Sequence, residues 1–187
     1  MRPGSARGGE HPMMGLAKMG PEGWRYYAEE IGLGREDYFA GHGEEQGRWV
    51  GRGAEAPGLA GTVSPQEMEK LFGHGRHPVA DKALGRRFAH GDQGGAEGVA
   101  GYATSFSPPK SISLLWALAD DSVSDEVRAG HDAAVAAALE FLQDHAAFTR
   151  RGAGGAVQAG TDGYVAAAFV HRTSRAGDPQ LRTHLLT

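Results

Sequence analysis

The sequence predicts an α+β domain: an antiparallel β-sheet carrying a histidine-bearing hairpin, flanked by α-helices. Three stretches predict it. Gly163 to Thr187 reads as two strands around a turn. Val99 to Phe106 alternates as a further strand. Ser124 to Phe148 carries an apolar stripe of helical period.

A chain of 187 residues implies one domain with a substantial core. It has no cysteine, which excludes a disulfide framework and thiolate zinc sites. Metal ligands would have to be His, Asp or Glu. No apolar run reaches the roughly 18 residues of a membrane span. The N-terminus has Arg2 and Arg7 but no apolar signal core. A cytoplasmic protein without membrane insertion is expected. The net charge of −4 speaks against a broad nucleic-acid footprint. The charge is uneven, however. Between Tyr164 and Thr187, Arg172, Arg175 and Arg182 stand against Asp178 alone, and Arg150 and Arg151 add a second basic spot. A basic face on an acidic body fits phosphate contact.

Residues 1–13 are Gly, Pro and charge without period, and predict a disordered extension ahead of a domain over 14–187. Gly23 to Gly32 predicts a short helix, with Trp24, Tyr27 and Ile31 on one stripe and Tyr26 turned away from it. Tyr38 follows a dozen residues later. On residue type alone these tyrosines are core aromatics. Gly58 to Val63 reads as a short strand or turn. Ser64-Pro65-Gln66-Glu67 is a helix start, with serine at the N-cap, proline at N1 and Glu at N3. That helix runs through Met68, Leu71 and Phe72 and stops at Gly73. Gly73 to Gly98 predicts a loop, and its His74, His77 and His90 lack ligand spacing.

After the strand Val99–Phe106, Ser107-Pro108-Pro109-Lys110 opens a helix over roughly Ser111 to Leu118, with Ser107 as cap. Lys110 at that helix start makes a candidate phosphate seat, and an ordinary cap is the alternative. The next helix is capped by Ser124 and buries Val127, His131, Val135, Leu139, Leu142 and Ala146. His131 on that stripe reads as a satisfied core histidine. Gly152 to Asp162 is a glycine-rich connection.

In the final hairpin, Ala176-Gly177-Asp178-Pro179 is the turn signal. A turn centred between Gly177 and Asp178 sets His171 opposite His184, and Thr173 opposite Arg182. All four then share one face, because strand side chains alternate. Opposed Cβ atoms lie about 4.5–5.5 Å apart, a span two imidazoles bridge with one ion. A half-buried polar pair is the other reading of the same residues.

Three segments carry a family resemblance: RYYAEE followed by EDYFAGHGEEQGRWVGRGA, GYATSFSPPKSISLLWAL, and HRTSRAGDPQLRTHLLT. Together they resemble the MobF-class conjugative relaxases, the TrwC-like and TraI-like proteins of the HUH endonuclease superfamily, over about Trp24 to Thr187. The resemblance implies an HUH-type fold, incomplete at the C-terminus, as a fragment of a larger relaxase-helicase would be. It implies site- and strand-specific nicking of plasmid transfer-origin DNA through a 5′-phosphotyrosine, and strand transfer in conjugation. Tyr26 matches the first residue of the first tyrosine pair, with Tyr27 as its near backup. Tyr38 matches the first residue of the second pair, and Phe39 replaces its neighbour. His171 and His184 match metal ligands for a divalent ion, Mg2+ or Mn2+. Lys110, Arg172, Arg175 and Arg182 are left as DNA phosphate contacts. Single-stranded or hairpin plasmid DNA and the type IV secretion machinery of conjugation are the implied partners.

Two positions depart from the family pattern. Arg182 stands where the family carries a third histidine, and arginine has no lone pair to give an ion. Ala103 stands where the family carries an aspartate. Both departures admit a second expectation, a catalytically inactive relaxase remnant that still grips single-stranded or hairpin DNA.

Overall fold

The computed structural model describes residues 13–31, 46–55, 58–84, 98–174 and 176–187. Tyr38, Phe39, His90 and Arg175 lie outside the described residues, as does the expected N-terminal extension apart from Met13. A five-stranded antiparallel sheet organises the molecule, in the order β1-β3-β7-β6-β2. Its strands are β1 (Met14–Met19), β2 (Arg48–Val50), β3 (Gly101–Phe106), β6 (Ala166–Thr173) and β7 (Pro179–Leu186). The predicted hairpin is β6–β7, and β7 is an inner strand with β3 on its other side.

Strand β1 pairs with β3 along its whole length and was not predicted. Its burial pattern is mostly exposed, so it lacks the alternation that marks a half-buried strand. A second small sheet joins β4 (Phe148–Arg151) to β5 (Val157–Gly160). Glycines around β5 masked that pairing in the sequence.

Helix α1 (Pro65–Met68) begins as predicted. The Ser64 hydroxyl accepts from the Glu67 N–H, and the Glu67 carboxylate accepts from the Ser64 N–H at 2.9 Å. It runs on as a wider turn over Glu69–Gly73 and buries Met68 and Phe72. Helix α2 (Lys110–Leu118) starts later than predicted. Pro108 precedes another proline and so leaves the helical region, and Pro109 keeps ψ at 148°, so Ser107 caps nothing. Helix α3 (Asp121–Ala146) starts three residues early and ends two early. Asp120, not Ser124, is its cap: its carboxylate accepts from the Val123 N–H at 3.1 Å.

The two faces of the sheet hold two cores. Helix α3 lays Val135 and Leu139 on Ala168, Leu185 and Phe106. His131 on the same stripe is buried and shares a 2.9 Å hydrogen bond with Thr183, as a satisfied core histidine would. Gln143 ends the stripe where Ala146 was expected. Its side-chain oxygen accepts from the N–H groups of Arg52 at 2.7 Å and Tyr164 at 3.3 Å. The opposite face packs Phe169, Ala167 and Leu186 against Met19, Trp24, Trp49, Met68 and Phe72. Among the described residues no helix is long and apolar enough to cross a membrane.

Candidate functional site

The site lies where the β6–β7 hairpin meets a helical turn over Tyr26–Ile31. The hairpin turn is tied by Ser174, whose N–H donates to the Asp178 carbonyl at 2.8 Å. The Ser174 hydroxyl accepts from the N–H groups of Ala176 and Asp178. Gly177 takes φ of 80°, a left-handed conformation that favours glycine. This turn is centred near Ala176, about one residue earlier than the Gly177-Asp178 signal suggests. His171 therefore faces Arg182, His184 faces Phe169, and Thr173 faces Pro179 across a bulge. The predicted pairings of His171 with His184 and of Thr173 with Arg182 are corrected. Moving a turn centre by one residue shifts partners by two, and a shift of two keeps every side chain on its face. His171, His184 and Arg182 thus still share one face.

The two histidine rings lie diagonally, with centroids 6.2 Å apart. Both residues are buried. Tyr27 comes down onto them, its ring 5.2 Å from His184 and 6.2 Å from Phe169. Tyr26 stands edge-on to Tyr27 at 5.1 Å and remains 39% exposed. A phenol and an imidazole widely separated in the chain are brought together by the aromatic stripe, since Trp24 anchors the same segment in the core.

Electrostatics differ sharply over this short span. Burial raises the Tyr27 hydroxyl above the ordinary tyrosine range, and Tyr26 adds to this while Arg182 pulls the other way. Burial, with Arg182 and His171 beside it, depresses His184 to about 3. His184 is a neutral imidazole at pH 7. Arg182 places a permanent positive charge beside it.

Arg182 is partly buried, and its Nε–H donates to the Ser107 hydroxyl at 3.2 Å. Ser107 is the residue that sequence reasoning misassigned. The signal was present, because the residue ahead of Pro108-Pro109 is held extended and cannot open the helix. Lys110 reaches β7 as well. Its ammonium donates to the Pro179 carbonyl at 2.8 Å and lies 3.9 Å from Asp178, so it braces the hairpin turn. Ser113, inside α2, accepts from the Leu181 N–H at 3.1 Å. Arg172 sits within the bulge of β6. His77 serves its own loop, its Nδ1 accepting from the N–H groups of Val79 and Ala80.

Comparisons with known proteins bear directly on this geometry. The TrwC relaxase family profile matches residues 21–187. The chain belongs to the TrwC relaxase family. Two curated relatives are multifunctional conjugation proteins TraI of Escherichia coli. One is 33% identical over 139 residues, covering 74% of this chain and 7% of the relative. The other, from strain K12, is 31% identical over 174 residues, covering 92% and 9%. The chain thus spans less than a tenth of these relatives. Among solved structures, a metal-bound complex of conjugative relaxase TrwC with oriT DNA superposes with a TM-score of 0.70 at 29% identity, covering 93% of this chain and 56% of that one. A TrwC complex with a 27-mer DNA comprising the recognition hairpin and the cleavage site matches at 0.70 and 27% identity, covering 93% and 54%. The α+β relaxase fold is shared.

A relative with bound metal raises the question of whether these residues fit an ion. The hairpin face offers two imidazoles, and a guanidinium occupies the third place. Ala103 and Ser105 of β3 lie on the same face, in register with Leu186 and His184. The aspartate of the family pattern would therefore stand opposite Leu186 and diagonal to His184, and alanine supplies no oxygen there. Among the described residues no group of three His, Cys, Asp or Glu converges to hold an ion. This donor set does not fit a resident divalent ion.

Proposed function

We propose that this chain is the DNA-processing part of a relaxase, nicking one strand of plasmid transfer-origin DNA and passing it on in conjugation. The observation that carries the reading is the descent of the Tyr26-Tyr27 pair onto the His171, His184 and Arg182 face in a chain of this family. Tyr26, the exposed member, is the nucleophile by its place in the motif. Its hydroxyl oxygen attacks a backbone phosphorus, the phenolic proton is released, and the P–O3′ bond breaks. The 5′-phosphate stays on tyrosine, and the departing 3′-oxygen takes up a proton. One phosphoester replaces another, so resealing needs no nucleotide. Tyr27 positions Tyr26 from its half-buried seat against His184. Tyr38 is the second nucleophile, available for the closing transfer.

Single-stranded or hairpin DNA is the substrate, and the conjugation machinery the wider partner. The complexes of TrwC with oriT DNA support this for a chain of shared fold. The experiment uses a pool of randomised single-stranded oligonucleotides labelled at the 3′ end. Cleavage through tyrosine leaves label on denatured protein. Absence of a labelled band from the wild-type chain overturns the nuclease reading. One specific feature favours the alternative of a DNA-gripping remnant: Arg182 and Ala103 each remove a group the family pattern places at the reaction centre. In that case the same pool is retained by the folded protein and no covalent band forms.

A further inference from the structure

The disagreement between the donor set and a divalent ion has a constructive side. The cation on the site face is covalently part of the chain. Register places Arg182 directly opposite His171 and two pairs along from His184, on the same face. Its strand is the central strand of the sheet. Strand β7 is hydrogen-bonded on both sides, by β3 and β6. Helix α2 and its leading segment grip it at three points, through Lys110 on Pro179, Ser113 on Leu181 and Ser107 on Arg182. The partner of Arg182 in that grip is a neutral hydroxyl, and among the described residues no carboxylate pairs with it. Among the described residues, the guanidinium is therefore held by one N–H and its charge meets no carboxylate. A planar, permanently charged fork with further N–H donors suits two oxygens of one phosphate.

We infer that the Arg182 guanidinium takes the role of a metal ion in this chain, binding and neutralising the DNA phosphate presented to the tyrosine pair, so that phosphate binding here is independent of divalent ions. This rests on the proposed DNA substrate. It adds a residue-specific binding group and a cation requirement opposite to that implied by the metal-bound relative.

The test is fluorescence anisotropy of labelled oligothymidylate with the full chain, in EDTA and in Mn2+, across a salt series. The inference expects the wild type to bind equally well in EDTA and Mn2+. Arg182→Gln should bind about tenfold more weakly. Its slope of log affinity against log salt should fall by about 0.7, the value for one phosphate contact on a single strand. Arg182→Lys keeps the charge, so its slope should stay near the wild-type value even though binding weakens. This variant guards against misreading a folding defect. Arg182→His should gain Mn2+ binding by calorimetry, where the wild type gives no heat. Wild-type binding that requires Mn2+, or an unchanged salt slope in folded Arg182→Gln, overturns this inference alone. Absence of any oligothymidylate binding overturns the DNA reading and this inference with it.

Discussion

The two faces of the β6–β7 hairpin are built from alternating residues of the same strands, and they differ in how polar groups are treated. On the α3 face, Thr183 is buried beside Ala168 and Leu185 and is answered by His131, whose charge burial also disfavours. On that face the buried Thr183–His131 pair is satisfied within the fold. On the tyrosine face, Arg182 meets a hydroxyl and, among the described residues, no carboxylate, and the half-buried Tyr27 phenol stands over the buried His184 imidazole. The contrast teaches where binding is to be sought. A fold tolerates an uncompensated cation when something outside the fold completes it.

Breaking the comparison begins with the largest effects. Tyr26→Phe should abolish covalent DNA adducts, by at least about a hundredfold, because the first transfer takes its attacking oxygen from Tyr26. Tyr27→Phe keeps the ring against His184 and should retain most of them. Gel analysis of denatured protein after reaction with 3′-labelled oligonucleotide checks both, and adducts surviving in Tyr26→Phe would move the nucleophile to Tyr27 or Tyr38. On the closed face, Leu185→Ala should cost about 2–5 kcal/mol of stability by leaving a cavity between β7 and α3. Urea melts of Leu185→Ala and Arg182→Gln decide whether the faces differ. Equal losses would make Arg182 a structural residue and erase the contrast.

How much of this was legible before the structure depends on range. The Ser64 capping box was readable because both of its partners lie within four residues. The α3 stripe was readable from its period, yet its closing member, Gln143, was not, because its partners Arg52 and Tyr164 are remote in sequence. The face shared by His171, His184 and Arg182 was recoverable, since alternation survives an even shift of register. Which of them oppose one another was not, because Ser174 closes the turn earlier than the Gly177-Asp178 signal. The link from Ser107 to Arg182 spans 75 residues and no local pattern announces it.

A mid-sized effect concerns pH. Burial lowers His184 to about 3 from an ordinary 6.5, and lowers His131 in the same direction. The unfolded chain therefore binds protons in this window that the folded chain refuses. Stability is fully present above pH 6.5 and should fall as pH drops towards 3, by at most about 1.4 kcal/mol per pH unit for each histidine. Urea midpoints at stepped pH measure the slope. His184→Gln should flatten it, and a slope unchanged in that variant would show that His184 is not the group refusing protons. Thr183→Val tests the other face at neutral pH. Leaving the His131 nitrogen without its partner should cost about 1–3 kcal/mol.

The smallest stability effect discriminates most finely. Ser107→Ala removes the hydroxyl that receives the Arg182 Nε–H and leaves the strand pairing of β7 intact. Both groups are only partly buried, so water replaces the lost bond and the cost should stay below about 1 kcal/mol. A structural role for the bond would end there. If the bond aims the guanidinium, the same variant should bind oligothymidylate a few-fold more weakly with an unchanged salt slope, since the charge remains and only its placement loosens. Stability and affinity are thus expected to separate at a residue outside the hairpin, and their moving together would return Ser107 and Arg182 to the core.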